Sequence, residues 1–287
     1  MENLEEKTRF IMKKYGISAN KSLGQNFLIN EEVVNNIVDS SAICKQDLVI
    51  EIGPGLGTLT ECLLENAGKV IAIELDNRMM KILNDRFFMY NNFEVINEDV
   101  LKVNLADLIK REKEEHNLTS AKIVANLPYY ITTPIIMKLL EEELDIDSIT
   151  VMIQKEVADR LIATPGDKVS GAITYSVYYY AESESIMIVD NNSFIPEPEV
   201  QSEVIKLKIR KTPAIDLKNK DLFFKLIKIS FMQRRKTLIN ALVNGGMFKN
   251  KEDAKAVFEE IGLDLNARGE NLRMEDFKNL CDKISEK

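Results

Sequence analysis

Leu48-Val49-Ile50-Glu51-Ile52-Gly53-Pro54-Gly55-Leu56-Gly57 decides the fold. Its first half reads as a short apolar strand. Its second half is a glycine-rich turn opening a helix that runs to about Asn66. Glycine lets a backbone turn sharply and approach a ligand closely. The spacing departs from GxGxxG, because position 58 is Thr58, so the turn alone does not separate a nucleotide site from a tight structural turn.

The same alternation continues outward. Val70–Ile73 is a strand ending in Glu74, followed by a helix over 77–88. Phe93–Ile96 ends near Asp99, Ile123–Ala125 precedes a helix over Thr132–Glu142, and Ile149–Ile153 precedes one over Lys155–Ala163. Strands alternating with helices imply βαβ units, hence an α/β, doubly wound, mostly parallel sheet covered on both faces. Two helices, over 3–15 and 31–43, come before it, and Asn30 suits the N-cap of the second. After residue 165 the segments Ala172–Tyr180, Ser185–Val189 and Val200–Ile209 read as strands forming an antiparallel edge. Lys211-Thr212-Pro213 reads as a hinge, and helical periodicity follows over 219–232, 235–244, 251–260 and 273–283. The expected division is a domain over 1–212 and a small helical one over 213–287.

Composition narrows the functional classes. The 287 residues are 45% apolar, ordinary for a soluble globular chain. Cys44, Cys62 and Cys281 form no CxxC pair, so neither a disulfide framework nor a metal site is expected. The single histidine, His116, lies in the hydrophilic stretch Arg111–His116 and reads as a solvated loop residue. The N-terminus lacks an apolar signal core, and no apolar run approaches the ~20 residues of a membrane span, so a cytoplasmic protein without membrane contact is expected. Net charge is −8, yet Lys206–Lys251 holds 13 Lys and Arg against two acids, Asp216 and Asp221. That asymmetry suggests a polyanion-facing surface on an acidic body.

Three strand ends carry chemistry. Glu74 ends the second strand, 21 residues after Gly53, where a carboxylate accepts from both hydroxyls of a ribose. NAD and S-adenosyl-L-methionine both need that contact. Asp99 ends the third strand, placed to accept from an adenine amine. Asn126-Leu127-Pro128-Tyr129 ends the fourth. There the Asn126 amide oxygen and the Leu127 carbonyl suit the two hydrogens of an exocyclic amine. Pro128 fixes the backbone, and Tyr129 offers a stacking face. A hydride-transfer enzyme has no use for such a clamp; a methyltransferase acting on an amine does. Hydrogen bonds to those acceptors favour a pyramidal nitrogen with a localised lone pair, and they stabilise the positive charge that develops on it.

With Ser22–Leu28, Glu51–Thr60, Asn97–Val100, Asn126–Tyr129, Gln154–Arg160 and Gln233–Leu238 on the page, the chain resembles the ribosomal RNA adenine dimethyltransferase family over nearly its whole length, and its small-subunit (16S) branch in particular. The resemblance implies a class I methyltransferase sheet with a small all-α C-terminal domain. It implies dimethylation of two adjacent adenosines in the 3′-terminal hairpin of 16S rRNA within a pre-30S particle, by a monomer using S-adenosyl-L-methionine. By matching positions it implies Gln25, Asn26, Leu28, Gly53, Gly55, Glu74, Asp99 and Asn126 at or beside the cofactor. Tyr129 and Phe194 would sandwich the target base. Arg234, Arg235 and Lys236 suit phosphate contact. Two alternatives stand beside it, a 23S rRNA dimethyltransferase and a non-catalytic assembly factor. Glu199 stands where the resemblance leads to lysine, and Tyr130 where asparagine is frequent.

Overall fold

The structure is a computed structural model that describes residues 3–20, 23–233 and 235–286. The chain falls into two compact units. One comprises residues up to Ala158 together with Ser183–Ile209, and the other Asp159–Glu182 together with residues from Arg210 onward.

Seven strands build the sheet of the first unit: β2 (Asp47–Ile52), β3 (Lys69–Glu74), β4 (Phe93–Asn97), β5 (Ser120–Asn126), β6 (Ser148–Gln154), β7 (Ala181–Val189) and β9 (Ser202–Ile209). Their spatial order is β4-β3-β2-β5-β6-β9-β7. The pairs from β4 to β6 are parallel, and β9 joins β6 antiparallel. Every residue of β2 and β3 is buried, which explains why they read as unbroken apolar runs. Strand order reverses between β2 and β5, and in open α/β sheets ligands bind outside the carboxyl ends at such a point. A two-residue strand, β1 (Phe27–Leu28), pairs antiparallel with β8 (Phe194–Ile195) in a separate small sheet.

Helices α1 (Leu4–Tyr15), α2 (Glu31–Ser41), α3 (Thr58–Asn66), α4 (Asn77–Phe87), α5 (Leu105–His116) and α6 (Thr132–Glu141) accompany the strands. Asn30 caps α2, its side chain accepting from the Glu32 and Val33 amides. Residues 111–116, expected in a loop, form the end of α5. Leu105, Leu108 and Ile109 are buried, with Glu112 below them, so the helical spacing was present under a highly charged surface. His116 closes that helix, its Nε2 3.5 Å from Glu112 Oε2.

Residues 155–162 form α7 (Lys155–Ile162), and Ala172–Tyr180, expected as a strand, is a helix, α8. Its β-branched and aromatic composition favours a strand. Tertiary packing overrides that preference. The Tyr175 hydroxyl donates to the Leu272 carbonyl at 2.5 Å, and the ring lies 5.1 Å from Phe277 and 5.5 Å from Phe231. Seven of the nine residues are buried, so no polar face marks the helical period. Residues 159–182 therefore group with the C-terminal helices α9 (Lys220–Met232), α10 (Leu238–Asn244), α11 (Lys251–Glu260) and α12 (Met274–Ser285), and not with the sheet as the expected division at 212 has it.

Gly57 is the turn's steric keystone. Its φ is +81°, and a Cβ there would lie 2.6 Å from the Phe87 ring. Gly57→Ala is expected to cost roughly 2–4 kcal/mol, from the left-handed backbone and the overpacking together. Urea unfolding measures it.

Candidate active site

The parallel ladder sets the site. Ile52 on β2 is level with Ala125 on β5, so Gly53 and Asn126 leave the sheet side by side. Gly53 turns at φ +69° and donates its N–H to the Ile73 carbonyl at 2.9 Å. Gly55 turns at φ +56° and donates to Glu74 Oε2 at 3.0 Å. The other Glu74 oxygen accepts from the Asp76 amide at 2.7 Å. Burial nonetheless holds the Glu74 carboxyl above its ordinary range. Each carboxylate oxygen has two acceptor sites, so these backbone bonds orient Glu74 and leave it capacity for ribose hydroxyls.

Asp99 lines the same cleft, and its Oδ1 also accepts from the Leu101 amide at 3.0 Å. Asn126, the last residue of β5, donates its Nδ2 to the Asn26 carbonyl at 3.3 Å. That bond aims the amide nitrogen at Asn26 and leaves Oδ1 as the acceptor for a ligand. The Leu127 amide is tied to the Met152 carbonyl at 3.1 Å. Pro128 has φ −62° and ψ 134°, and Tyr129 opens a single 3-10 turn with its hydroxyl 2.6 Å from Ser202 Oγ.

Gln25, Asn26, Leu28, Gly53, Gly55, Glu74, Asp99 and the whole of Asn126–Tyr129 line one cleft of about 1070 Å³, open solvent at its mouth included. Two expected residues behave differently from the rest. Gln25 donates to Asp76 Oδ2 at 2.8 Å and accepts from the Asn20 amide at 2.9 Å, so it braces the wall. Phe194 is 1% exposed, pairs across β1–β8 with Leu28, and lies in the core behind the cleft lining. Stacking on a base requires that ring to be uncovered. Arg234 lies outside the described residues. Arg235 and Lys236 are exposed residues of the second unit. Not all of the basic segment faces solvent: Lys206 donates to the Ser40 carbonyl at 2.6 Å, and Arg210 pairs with Glu182 at 2.9 Å.

Sequence reasoning missed several wall residues. Glu51 lines the cleft while its Oε2 accepts from the Thr60 hydroxyl at 2.6 Å. Burial pushes its carboxyl up to about 8, the Thr60 bond opposes the shift, and nearby Glu74 adds to it. The signal was an acid inside an apolar strand. Leu75 and Tyr130 are exposed apolar residues of the lining. Ser202 carried no signal, since its position depends on the β6–β9 register. Glu112, Glu115 and His116 bring three donor atoms together on α5, away from this cleft.

A doubly wound sheet closed by an antiparallel strand, with a glycine turn and the carboxylates of Glu74 and Asp99 beside its switch point, has the layout of a nucleotide-binding α/β domain. Residues 16–286 match the profile of the family described as Ribosomal RNA adenine dimethylase. A Ribosomal RNA small subunit methyltransferase A from Alkaliphilus oremlandii is 45% identical over 282 residues, covering 98% of this chain and 97% of that protein. The protein of the same name from Bacillus pumilus is 47% identical over 281 residues, covering 96% and 94%. The crystal structure of a dimethyladenosine transferase from Plasmodium falciparum gives a TM-score of 0.74 at 29% identity, covering 91% of this chain and 98% of that one. That of the 23S rRNA methyltransferase ErmE, at 23% identity and TM-score 0.67 over 91% of this chain and 100% of that one, shares the fold. The chain belongs to the ribosomal RNA adenine dimethylase family.

A raised carboxyl makes stability depend on pH. The Glu51 proton is held more tightly in the folded chain than its ordinary value of 4.5 allows. Its stabilising contribution is complete below that value and is lost as pH rises toward about 8. Unfolding free energies of the ligand-free protein from urea titrations are expected to fall across this window, by at most ~1.4 kcal/mol per pH unit from this group. Glu51→Gln is expected to flatten most of that slope.

Proposed function

We propose that this protein dimethylates the exocyclic amines of two adjacent adenosines in the 3′-terminal hairpin of 16S rRNA, within a pre-30S particle, using S-adenosyl-L-methionine. The observation that carries the reading is Asn126 at the end of β5, its amide nitrogen committed to Asn26 and its oxygen left as an acceptor beside the Leu127 carbonyl. The 45% and 47% identical relatives bear small-subunit names, which favours 16S over 23S rRNA as substrate. A ribosomal substrate makes the cytoplasm the working compartment. We take the monomer as the working form, with the modification coupled to late small-subunit assembly.

The donor set fits the cofactor. At Gly53 a Cβ would meet no atom closer than the Asn126 carbonyl oxygen at 4.0 Å, so the missing side chain leaves room for close backbone approach. Glu74 would hold the ribose, Asp99 the adenine amine, and Asn26 and Gly55 the neighbouring wall. When bound, the cofactor supplies an electrophilic methyl group on a sulfonium.

Every other contribution comes from the protein. Asn126 Oδ1 and the Leu127 carbonyl accept the two N–H groups of the target adenine. An amine so held gives up ring conjugation more readily, and the same acceptors stabilise charge as it develops. The amine proton leaves after the nitrogen has become cationic and acidic, so no strong base is needed. Tyr129 supplies a stacking face, worth about 1–3 kcal/mol against an extrusion cost of a few kcal/mol.

Labelled methyl transfer to pre-30S particles and to naked 23S RNA tests the substrate. Transfer to the particle is expected; transfer only to 23S RNA overturns the assignment. Failure of the wild-type protein to bind S-adenosyl-L-methionine by calorimetry favours an assembly factor without catalysis. Asn126→Ala is expected to lower methyl transfer by about 10²–10³-fold, the scale of a lost transition-state hydrogen bond. A filter-binding assay is expected to show most of the RNA affinity retained.

A further inference from the structure

Tyr129 is held at both ends. Its backbone follows the fixed Pro128, and its hydroxyl lies 2.6 Å from Ser202 Oγ. Ser202 is fully buried, at 0% exposure, and is the first residue of β9. Asn126, Met152 and Val204 share one row across β5, β6 and β9. Because β9 runs antiparallel, its start lies where the parallel strands end, and Ser202 stands opposite Gln154, the last residue of β6. The antiparallel strand thus delivers a hydroxyl to the rim from the side opposite the glycine turn.

A tyrosine ring has two side-chain torsions. Rotation about the first swings the ring's far end through several ångströms. A hydrogen bond at that far end removes this swing and fixes the ring's long axis, leaving only rotation about the axis for packing to set. A phenylalanine would fill the same wall without the anchor. Burial keeps the phenol above its ordinary range, so the hydroxyl keeps its proton and remains able to donate.

We propose that Ser202 is a positioning residue: its hydroxyl holds the Tyr129 ring in the attitude that presents its face to the target base. The inference rests on the function proposed above and deepens it, since it explains why the stacking residue is a tyrosine.

Methyl-transfer kinetics on pre-30S particles test it, comparing wild type with Ser202→Ala, Tyr129→Phe and the double variant. Each single variant loses the same hydrogen bond, and each is expected to lower kcat about tenfold. S-adenosyl-L-methionine affinity by calorimetry is expected to stay within about twofold of wild type in all of them. The double variant is expected to be no slower than either single one, because one bond is removed in each. Wild-type kcat in Ser202→Ala overturns the proposal, as do multiplying losses in the double variant. A matching loss of cofactor affinity also overturns it, because that marks general damage to the site. Should Ser202→Ala fail to fold, wild-type kcat in Tyr129→Phe is sufficient to overturn it. If wild-type protein transfers no methyl group to any rRNA, the proposed function itself has failed, and that result is separate from these.

Discussion

The register between β2 and β5 is the constraint on which the rest depends. Ile52 and Ala125 are level, so the glycine turn and the Asn126 unit emerge from adjacent strands at one height. A slip of one residue would turn every side chain of β5 to the opposite face. It would also separate the glycine turn from the Asn126 amide. The register is secured by burial: all six residues of β2 are enclosed, and four of the seven residues of β5, Ala121, Ile123, Val124 and Ala125, are buried. The geometry of the cleft therefore rests on rigid strands, and it is drawn from their carboxyl ends.

The same rim concentrates unfavourable electrostatics. Burial disfavours charge on both Glu51 and Glu74, nearby Glu74 adds to the rise of the Glu51 carboxyl, and Asp76 adds to that of Glu74. Thr60, Gly55 and Asp76 donate hydrogen bonds that offset part of this cost. A cationic ligand would relieve the remainder, and S-adenosyl-L-methionine is one. Beside them, Asp76 stays below the ordinary carboxylate range, chiefly through its hydrogen bonds from Arg78 and then from Gln25. Neighbouring acids at one sheet edge are thus held in different states by what touches them.

The parallel strands were legible because buried strands read as apolar runs and their ends as polar residues. The Glu74, Asp99 and Asn126 positions followed from that rule, and all three line the cleft. Helix α8 was not legible, because a helix buried nearly all round has no polar face and its tyrosines favour a strand. Helix α5 was hidden for the opposite reason, a dense charged surface over a thin apolar stripe. Gln25 and Phe194 make contacts that their sequence motifs did not announce. In this conformation the first is committed to Asp76 and the second is buried against Leu28. Ser202 depends on a pairing between segments about 50 residues apart, which local pattern does not encode. The basic segment misled in part, since Lys206 and Arg210 are bonded within their own units.

Glu197 and Glu199 are exposed on the loop before β9, a position that disfavours close approach of a phosphate backbone to that loop. Such an arrangement leaves the target base, and not the flanking backbone, as the part of the RNA that must be held at the rim. The most direct measurement is therefore of the base itself. Small-subunit rRNA from cells lacking this gene, digested to nucleosides and read by mass spectrometry, should have lost N6,N6-dimethyladenosine and should regain it when the wild-type gene is restored. Undiminished N6,N6-dimethyladenosine in that rRNA would contradict the account.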